Sequence, residues 1–192
     1  MKHILITITA VVLLIGCAKK NYSNLNTEDL LILQSAAIKG DLSEIKIAVE
    51  GGFDPNTMLS PLGLNKVPLL HWASMAENID VIKYLITKGA SVDLKNSDGT
   101  TALMLAGSKG RAKNVRILIQ NNADIFAKDK NEATTAHWIT ACLSPELFRE
   151  LIQKGVDFNV KDNQGRTPLM WAISRPPRLT IEWNTNKINQ AI

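Results

Sequence analysis

"PLLHWASMAENIDVIKYLITKGASVDLKNSDG" runs from Pro68 to Gly99 and sets the reading of the whole chain. Val81, Ile82, Leu85 and Ile86 are spaced i, i+1, i+4 and i+5, the apolar stripe of an amphipathic helix. Gly89 stands just past that stripe, where a chain leaving a helix turns left-handed and glycine does so freely. The end, "SVDLKNSDG", is built from polar turn-formers and reads as a projecting hairpin loop. One stretch thus spells helix, helix, turn and hairpin.

The same spelling returns at a fixed step. "TALMLAGSKGRAKNVRILIQNNADIFAKDKNE" starts at Thr101, "TTAHWITACLSPELFRELIQKGVDFNVKDNQG" at Thr134 and "TPLMWAIS" at Thr167. Leu70, Leu103, Ala136 and Leu169 are each 33 residues apart, as are Trp72, Leu105, Trp138 and Trp171. Gly89, Asn122 and Gly155 follow the same step, and asparagine is the usual second choice at such a turn. Val115, Leu118 and Ile119, then Leu147, Leu151 and Ile152, repeat the helical stripe. Thr101, Thr134 and Thr167 suit helix starts, and Pro168 suits a first helical turn.

A period of 33 with "TPLM-W-A" and "PLLHWA" closely resembles the ankyrin repeat. An earlier, weaker copy lies at "LQSAAIKGDLSEIKIAVEGGFD", with Gly40 and Gly52 at turn positions and an enlarged loop after it. The resemblance spans about Asn26 to Arg175. It implies an all-α solenoid of four full repeats plus a truncated C-terminal repeat, with hairpin loops between repeats. One repeat cannot bury its apolar face alone, so stacked neighbours share one core. The first helix should start at Asn26 or Thr27. Pro176-Pro177 ends the last one. Leu179, Ile181 and Trp183 in the tail, residues 176–192, are expected to cover the open end.

The N-terminus differs. Ile4 to Ile15 is a twelve-residue apolar run after Lys2 and His3, too short for a spanning helix of roughly 20 residues and shaped like a secretory signal. Leu14-Ile15-Gly16-Cys17 resembles the lipobox of bacterial lipoproteins. That resemblance implies a signal peptide over residues 1–16, lipid attachment at Cys17, and a short tether over residues 17–25 ahead of the repeat domain, residues 26–175. Several acyl chains on one cysteine would hold the chain to a membrane. Ala18 after the cysteine matches outer-membrane sorting, which implies a periplasm-facing protein. With Cys17 acylated, Cys142 has no partner, so a buried, inert thiol is expected.

Composition narrows function by subtraction. The chain carries 22 Lys and Arg against 18 Asp and Glu, a net +4. Lys2, Lys19 and Lys20 lie in the signal and tether, which leaves the folded part near neutral. That argues against a nucleic-acid partner. His71 and His137 lack a third ligand at metal spacing, and no nucleophile motif or phosphate loop is present. No enzyme activity, cofactor, metal or small-molecule substrate is expected. The tryptophans at period 33 read as core. Asp93, Asp129 and Asp162 read as turn formers. The ankyrin resemblance implies that the two histidines tie neighbouring loops together.

Function is therefore expected from surface recognition. The resemblance implies protein binding through loop tips and the concave face of the first helices. Its variable positions fall on Val67, Thr100, Ala133 and Arg166 before the helices. On the helices they fall on Lys39, Met75, Ala76, Ser108, Lys109, Ala141, Cys142 and Arg175. At the tips they fall on Ser97, Asp98, Lys130, Asn131, Asn163 and Gln164. Lys39, Lys109, Arg166 and Arg175 would prefer an acidic partner surface. The longer insertion Asp54 to Pro68, with Met58, Leu59, Leu62 and Leu64, either folds back or meets a partner. Small ankyrin lipoproteins of this kind resemble immunity proteins against toxic secreted effectors, phospholipases among them. The other class kept open is a structural or stress-related envelope scaffold.

Overall fold

The computed structural model describes residue 22 and residues 25–60, 66–142 and 144–174. Cys17, Leu62, Leu64, Arg175, Pro176-Pro177 and the tail lie outside the described residues, and so do the expectations placed on them. Among the described residues the elements are nine α-helices with hairpin turns and no extended strand. They pair as α1 (Thr27–Lys39) with α2 (Leu42–Glu50), α3 (Leu69–Met75) with α4 (Asp80–Thr87), α5 (Ala102–Ser108) with α6 (Ala112–Gln120), and α7 (Thr135–Ile139) with α8 (Pro145–Gln153). A 3-10 turn, Thr140–Cys142, follows α7, and α9 (Pro168–Ser174) is the last described element.

The first helix of each pair stacks on the first helix of the next, so α1, α3, α5, α7 and α9 form one row. The even-numbered helices form the outer row. Each outer helix puts its stripe inward: Val81, Ile82 and Leu85, then Val115 and Leu118, then Leu147 and Leu151 have essentially no solvent exposure. They share one core with Leu70, Leu103, Ala136 and Ile139 of the inner row. Gly107 allows α5 and α7 to close up, since a Cβ there would lie 2.8 Å from Ile139 Cγ1 and 3.0 Å from Trp138 O.

Local chemistry sets the ends of the helices. Asn26 caps α1, with Asn26 Oδ1 accepting from Asp29 N–H at 2.9 Å and Asp29 Oδ2 accepting from Asn26 N–H at 3.2 Å. Thr101 Oγ1 accepts from Met104 N–H at 3.3 Å and Thr167 Oγ1 from Met170 N–H at 3.4 Å. Gly89, Asn122 and Gly155 have φ of 88°, 63° and 88°, the left-handed turn that the period predicts.

Side chains then stitch repeat to repeat. Asn114, buried on α6, donates from Nδ2 to Ser74 O and Ala76 O at 2.9 and 2.8 Å. Arg111 Nε donates to Met75 O at 3.1 Å. The open carbonyls at the end of α3 are thereby satisfied by the next repeat. The insertion after α2 folds back as far as it is described. Leu59 pairs with Val67 in an antiparallel bridge, and both are buried.

Candidate partner-binding groove

Three consecutive hairpins carry one motif at three stages of completion. In the first, Asn96 Oδ1 accepts from the N–H groups of Asp98 and Thr100, each at 2.9 Å. In the second, Asp129 Oδ1 accepts from Asn131 N–H at 2.7 Å and Ala133 N–H at 3.1 Å. In the third, Asp162 Oδ1 accepts from Gln164 N–H and Arg166 N–H, each at 2.9 Å. The acceptor two residues before one donor and four before the other closes the turn.

The carboxylates have a second oxygen, and it reaches the inner helices. Trp138 Nε1–H donates to Asp129 Oδ2 at 3.1 Å, and Trp171 Nε1–H to Asp162 Oδ2 at 2.9 Å. Leu105 takes the tryptophan's place behind Asn96. Arg166 completes the third hairpin. Its Nε and Nη2 each stand 2.8 Å from Asp162 Oδ2, and its guanidinium lies 5.2 Å over the Trp171 ring. Burial alone would raise the Asp162 pKa. The hydrogen bonds from Arg166, Trp171 and Gln164 outweigh it and hold that carboxyl well below the usual range.

The hairpins are joined edge to edge. Ser97 N–H donates to Lys66 O at 3.2 Å, Lys130 N–H to Asp98 O at 3.1 Å and Asn163 N–H to Asn131 O at 2.9 Å. This ladder and the inner helices enclose a groove of about 320 Å³, floored by Leu105, Trp138 and Trp171 and walled by Asn96, Asp98, Thr100, Asp129, Asn131, Arg166 and Ser174. The two indoles meet edge to face at 5.4 Å, a favoured aromatic geometry. Trp138 is half-buried, so the expectation that the tryptophans are simply core is incomplete.

Of the residues expected at a partner surface, Asp98, Thr100, Asn131 and Arg166 border this groove. Lys39, Lys109, Lys130, Asn163 and Gln164 are exposed, and Met75, Ser97, Ser108 and Ala141 are half-buried. Five expectations are corrected. Thr100 is buried because its N–H and Oγ1 both donate to Asn96 Oδ1 and its carbonyl faces His71. Ala76 is buried because Asn114 covers the end of α3. Cys142 is buried, with Sγ donating to Gly107 O at 3.6 Å. Burial pushes that thiol up to about 12, against the opposing pull of the Arg116 charge. Val67 and Ala133 are buried as well. Arg166 offers an acidic partner little, since Asp162 neutralises it.

The histidines act as loop ties. His71 Nε2 stands 2.9 Å from Thr100 O and His137 Nε2 stands 2.9 Å from Arg166 O, each reaching the carbonyl that precedes the next repeat. Among the described residues no three His, Cys, Asp or Glu side chains are grouped to hold a metal ion, and no helix is long and apolar enough to cross a membrane. The sequence signal for the groove was the nine-residue step from Asp129 to Trp138 and from Asp162 to Trp171. It is hidden when the carboxylates are read as turn residues alone.

Comparison with known proteins agrees with this architecture. A description of ankyrin repeats in three copies fits residues 33–129, half of the chain. A palmitoyltransferase of Homo sapiens is 30% identical over 164 residues, covering 80% of this chain and 26% of its own length. A palmitoyltransferase of Lachancea kluyveri is 30% identical over 138 residues, covering 70% of this chain and 18% of its own. A transient receptor potential cation channel subunit of Drosophila melanogaster is 29% identical over 152 residues, covering 71% and 12%. The chain thus spans about a quarter or less of each relative.

Proposed function

The chain belongs to the ankyrin-repeat family, and from that premise we propose that it is a membrane-anchored protein-binding module that inhibits a toxic secreted enzyme. Ankyrin repeats are protein-interaction modules, and that part follows from the family. The finer reading joins three further supports. The Cys17 motif supports a lipid anchor in a bacterial envelope, facing the periplasm. The absence of a catalytic motif in the sequence supports a binder without enzyme activity of its own. The resemblance to immunity-type ankyrin lipoproteins supports a toxic effector, such as a phospholipase, as the partner.

The observation that carries the reading is the groove itself. Three hairpins and three inner helices converge on one polar-rimmed, indole-floored cleft, the kind of concave surface on which aromatic anchors and satisfied polar groups concentrate binding energy. A partner segment seated there, with the tips resting around an active site, would exclude substrate.

The test is capture with the mature protein, followed by an assay of what is recovered. An enzyme recovered in a fixed ratio, with its activity falling as the ankyrin protein is added, supports the proposal. A partner whose activity is untouched at saturation refutes inhibition. A Cys17→Ser protein that fractionates with membranes like the parent refutes the anchor.

A further inference from the structure

We propose that the outer row of helices lies against an anionic lipid surface, which turns the groove away from the membrane. The proposal rests on the Cys17 anchor read above and names the face that the anchored module presents to the bilayer.

One cation stands at the same place in every outer helix. Lys46, Lys83, Arg116 and Arg149 each lie six residues before the left-handed residue that closes their helix pair, Gly52, Gly89, Asn122 and Gly155. Three residues further on come Val49, Ile86, Ile119 and Ile152, neighbours of the cations on the helix surface. Contacts between repeats set these positions side by side. Lys46 Nζ lies 5.7 Å over the Tyr84 ring of the next repeat, and Arg116 Nε is 3.6 Å from Glu150 Oε2.

Apolar side chains reach solvent beside the row: Ile47 is 56% exposed, Ile152 50% and Phe126 57%. Lys88 Nζ also lies over the Tyr84 ring, at 5.5 Å, and a tyrosine carries the apolar body and polar tip that suit headgroup depth. Acidic residues stand mostly at the helix starts. Glu44, Asp80 and Glu146 are in first turns, where they complement the helix dipole. Two are nearer the row: Glu50 accepts from Tyr84 Oη at 3.5 Å, and Glu150 pairs with Arg116.

The tether favours a lipid surface over an acidic protein. Tyr22 is buried in the shared core. It packs at the end of α2, where a Cβ on Gly51 would lie 2.5 Å from Tyr22 Cδ2. Cys17 precedes it by five residues, a reach of at most about 18 Å. An acylated Cys17 therefore holds the end of α2 near the headgroups, with Lys46 and Ile47 about one turn away. Cations beside exposed apolar groups suit an anionic bilayer surface. The groove is floored from the inner helices, so a protein partner approaches from the other side.

The experiment uses the mature chain, coupled through the Cys17 thiol to a maleimide-headgroup lipid in vesicles. Cys142 is buried and does not compete. One set of vesicles is phosphatidylcholine, the other an equal mixture with phosphatidylglycerol. Lysine acetylation, read by mass spectrometry, reports which face is covered. Lys46 and Lys83 should react at least about threefold more slowly on the phosphatidylglycerol vesicles. Lys109 at the end of α5 and Lys130 on a hairpin, both exposed, should keep their rates. Salt should shrink the difference, and Lys83→Glu should restore much of the Lys46 rate. Unchanged rates at Lys46 and Lys83, or equal slowing of Lys109 and Lys130, would overturn the proposal. So would protection that appears only when the captured partner is added, which would assign the face to a protein. The link is made chemically, so the outcome does not depend on acylation in the cell. Failure on vesicles removes the orientation and leaves anchor and groove standing, whereas failure of the fractionation test removes the anchor and leaves the vesicle result intact.

Discussion

His71 and His137 occupy the same place two periods apart, yet only one is fully paired. Both rings aim Nε2 at a carbonyl across the repeat boundary, at 2.9 Å. A carbonyl accepts, so Nε2 carries the proton and Nδ1 must accept in turn. At His137 that acceptor meets Thr134, whose N–H and hydroxyl both stand 3.1 Å away. At His71 the aligned residue is Pro68, which has neither an N–H nor a hydroxyl. His71 Nδ1 is buried with no partner. At the histidine the second repeat is left short of a donor that the fourth supplies, although Thr135 Oγ1 in the fourth repeat is also buried without a partner. The lesson is general for repeats: an apolar period guarantees a shared core, while polar satisfaction depends on single residues beside it.

The largest effect expected from this difference is with pH. Burial pushes His71 down to about 4, against the raising effect of its bond to Thr100. The unfolded chain takes up the proton near 6.5, before the folded chain does. Stability tied to His71 is therefore complete above about 6.5 and falls as pH drops towards 4, by about 3 kcal/mol in all. Chemical denaturation of the parent and His71→Met, which copies Met104 of the next repeat, isolates the effect. The variant should be about 1 kcal/mol less stable at pH 7.5 through the lost hydrogen bond and more stable than the parent near pH 4.5. Parallel pH profiles would show that the unpaired histidine does not matter.

A smaller contrast compares turns in the second and third repeats. Gly89 has φ 88°, and nothing lies within 4 Å of the place a Cβ would take, so a side chain there meets backbone strain and no clash. Gly89→Val should lose about 1–2 kcal/mol, while Asn122→Gly, at φ 63°, should change by a few tenths or gain. Equal losses in a denaturant series would mean that the two turns are not equivalent.

The smallest expected effect is a repair. Pro68→Thr restores both donors to His71 Nδ1 and a cap to α3, which has no side-chain cap. A gain of about 1 kcal/mol is expected, reduced by the freedom returned to the unfolded chain when proline is removed. In a His71→Met background most of the gain should vanish. A gain of the same size in both backgrounds would assign it to the cap alone.

Helix pairs, turn residues and stack order were legible because apolar spacing, left-handed turns and capping residues are local signals that recur along the chain. The groove was legible only in part. Its rim residues Asp98, Asn131 and Arg166 were found from their place in the period. Ala76, Thr100 and Cys142 share that place, but their surroundings cover them: Asn114 reaches Ala76 from 38 residues away, and Cys142 packs under Gly107. Position within a repeat says which way a residue starts out; burial is decided by its neighbour's side chains. The Asp–Trp pairs were missed for a related reason, because a carboxylate that closes a turn with one oxygen can still bind a helix with the other.

Two surfaces could engage a partner: the insertion that follows the first repeat, and the groove bordered by the hairpins of the second, third and fourth repeats. Asn131 borders the groove, and Thr57 is exposed on the insertion side. Titration calorimetry of the captured partner against Asn131→Trp and Thr57→Trp compares them directly. Both variants should unfold like the parent within about 0.5 kcal/mol. Asn131→Trp is expected to weaken binding at least about tenfold, with Thr57→Trp unchanged. Full affinity in Asn131→Trp together with loss in Thr57→Trp would contradict the groove as the binding site.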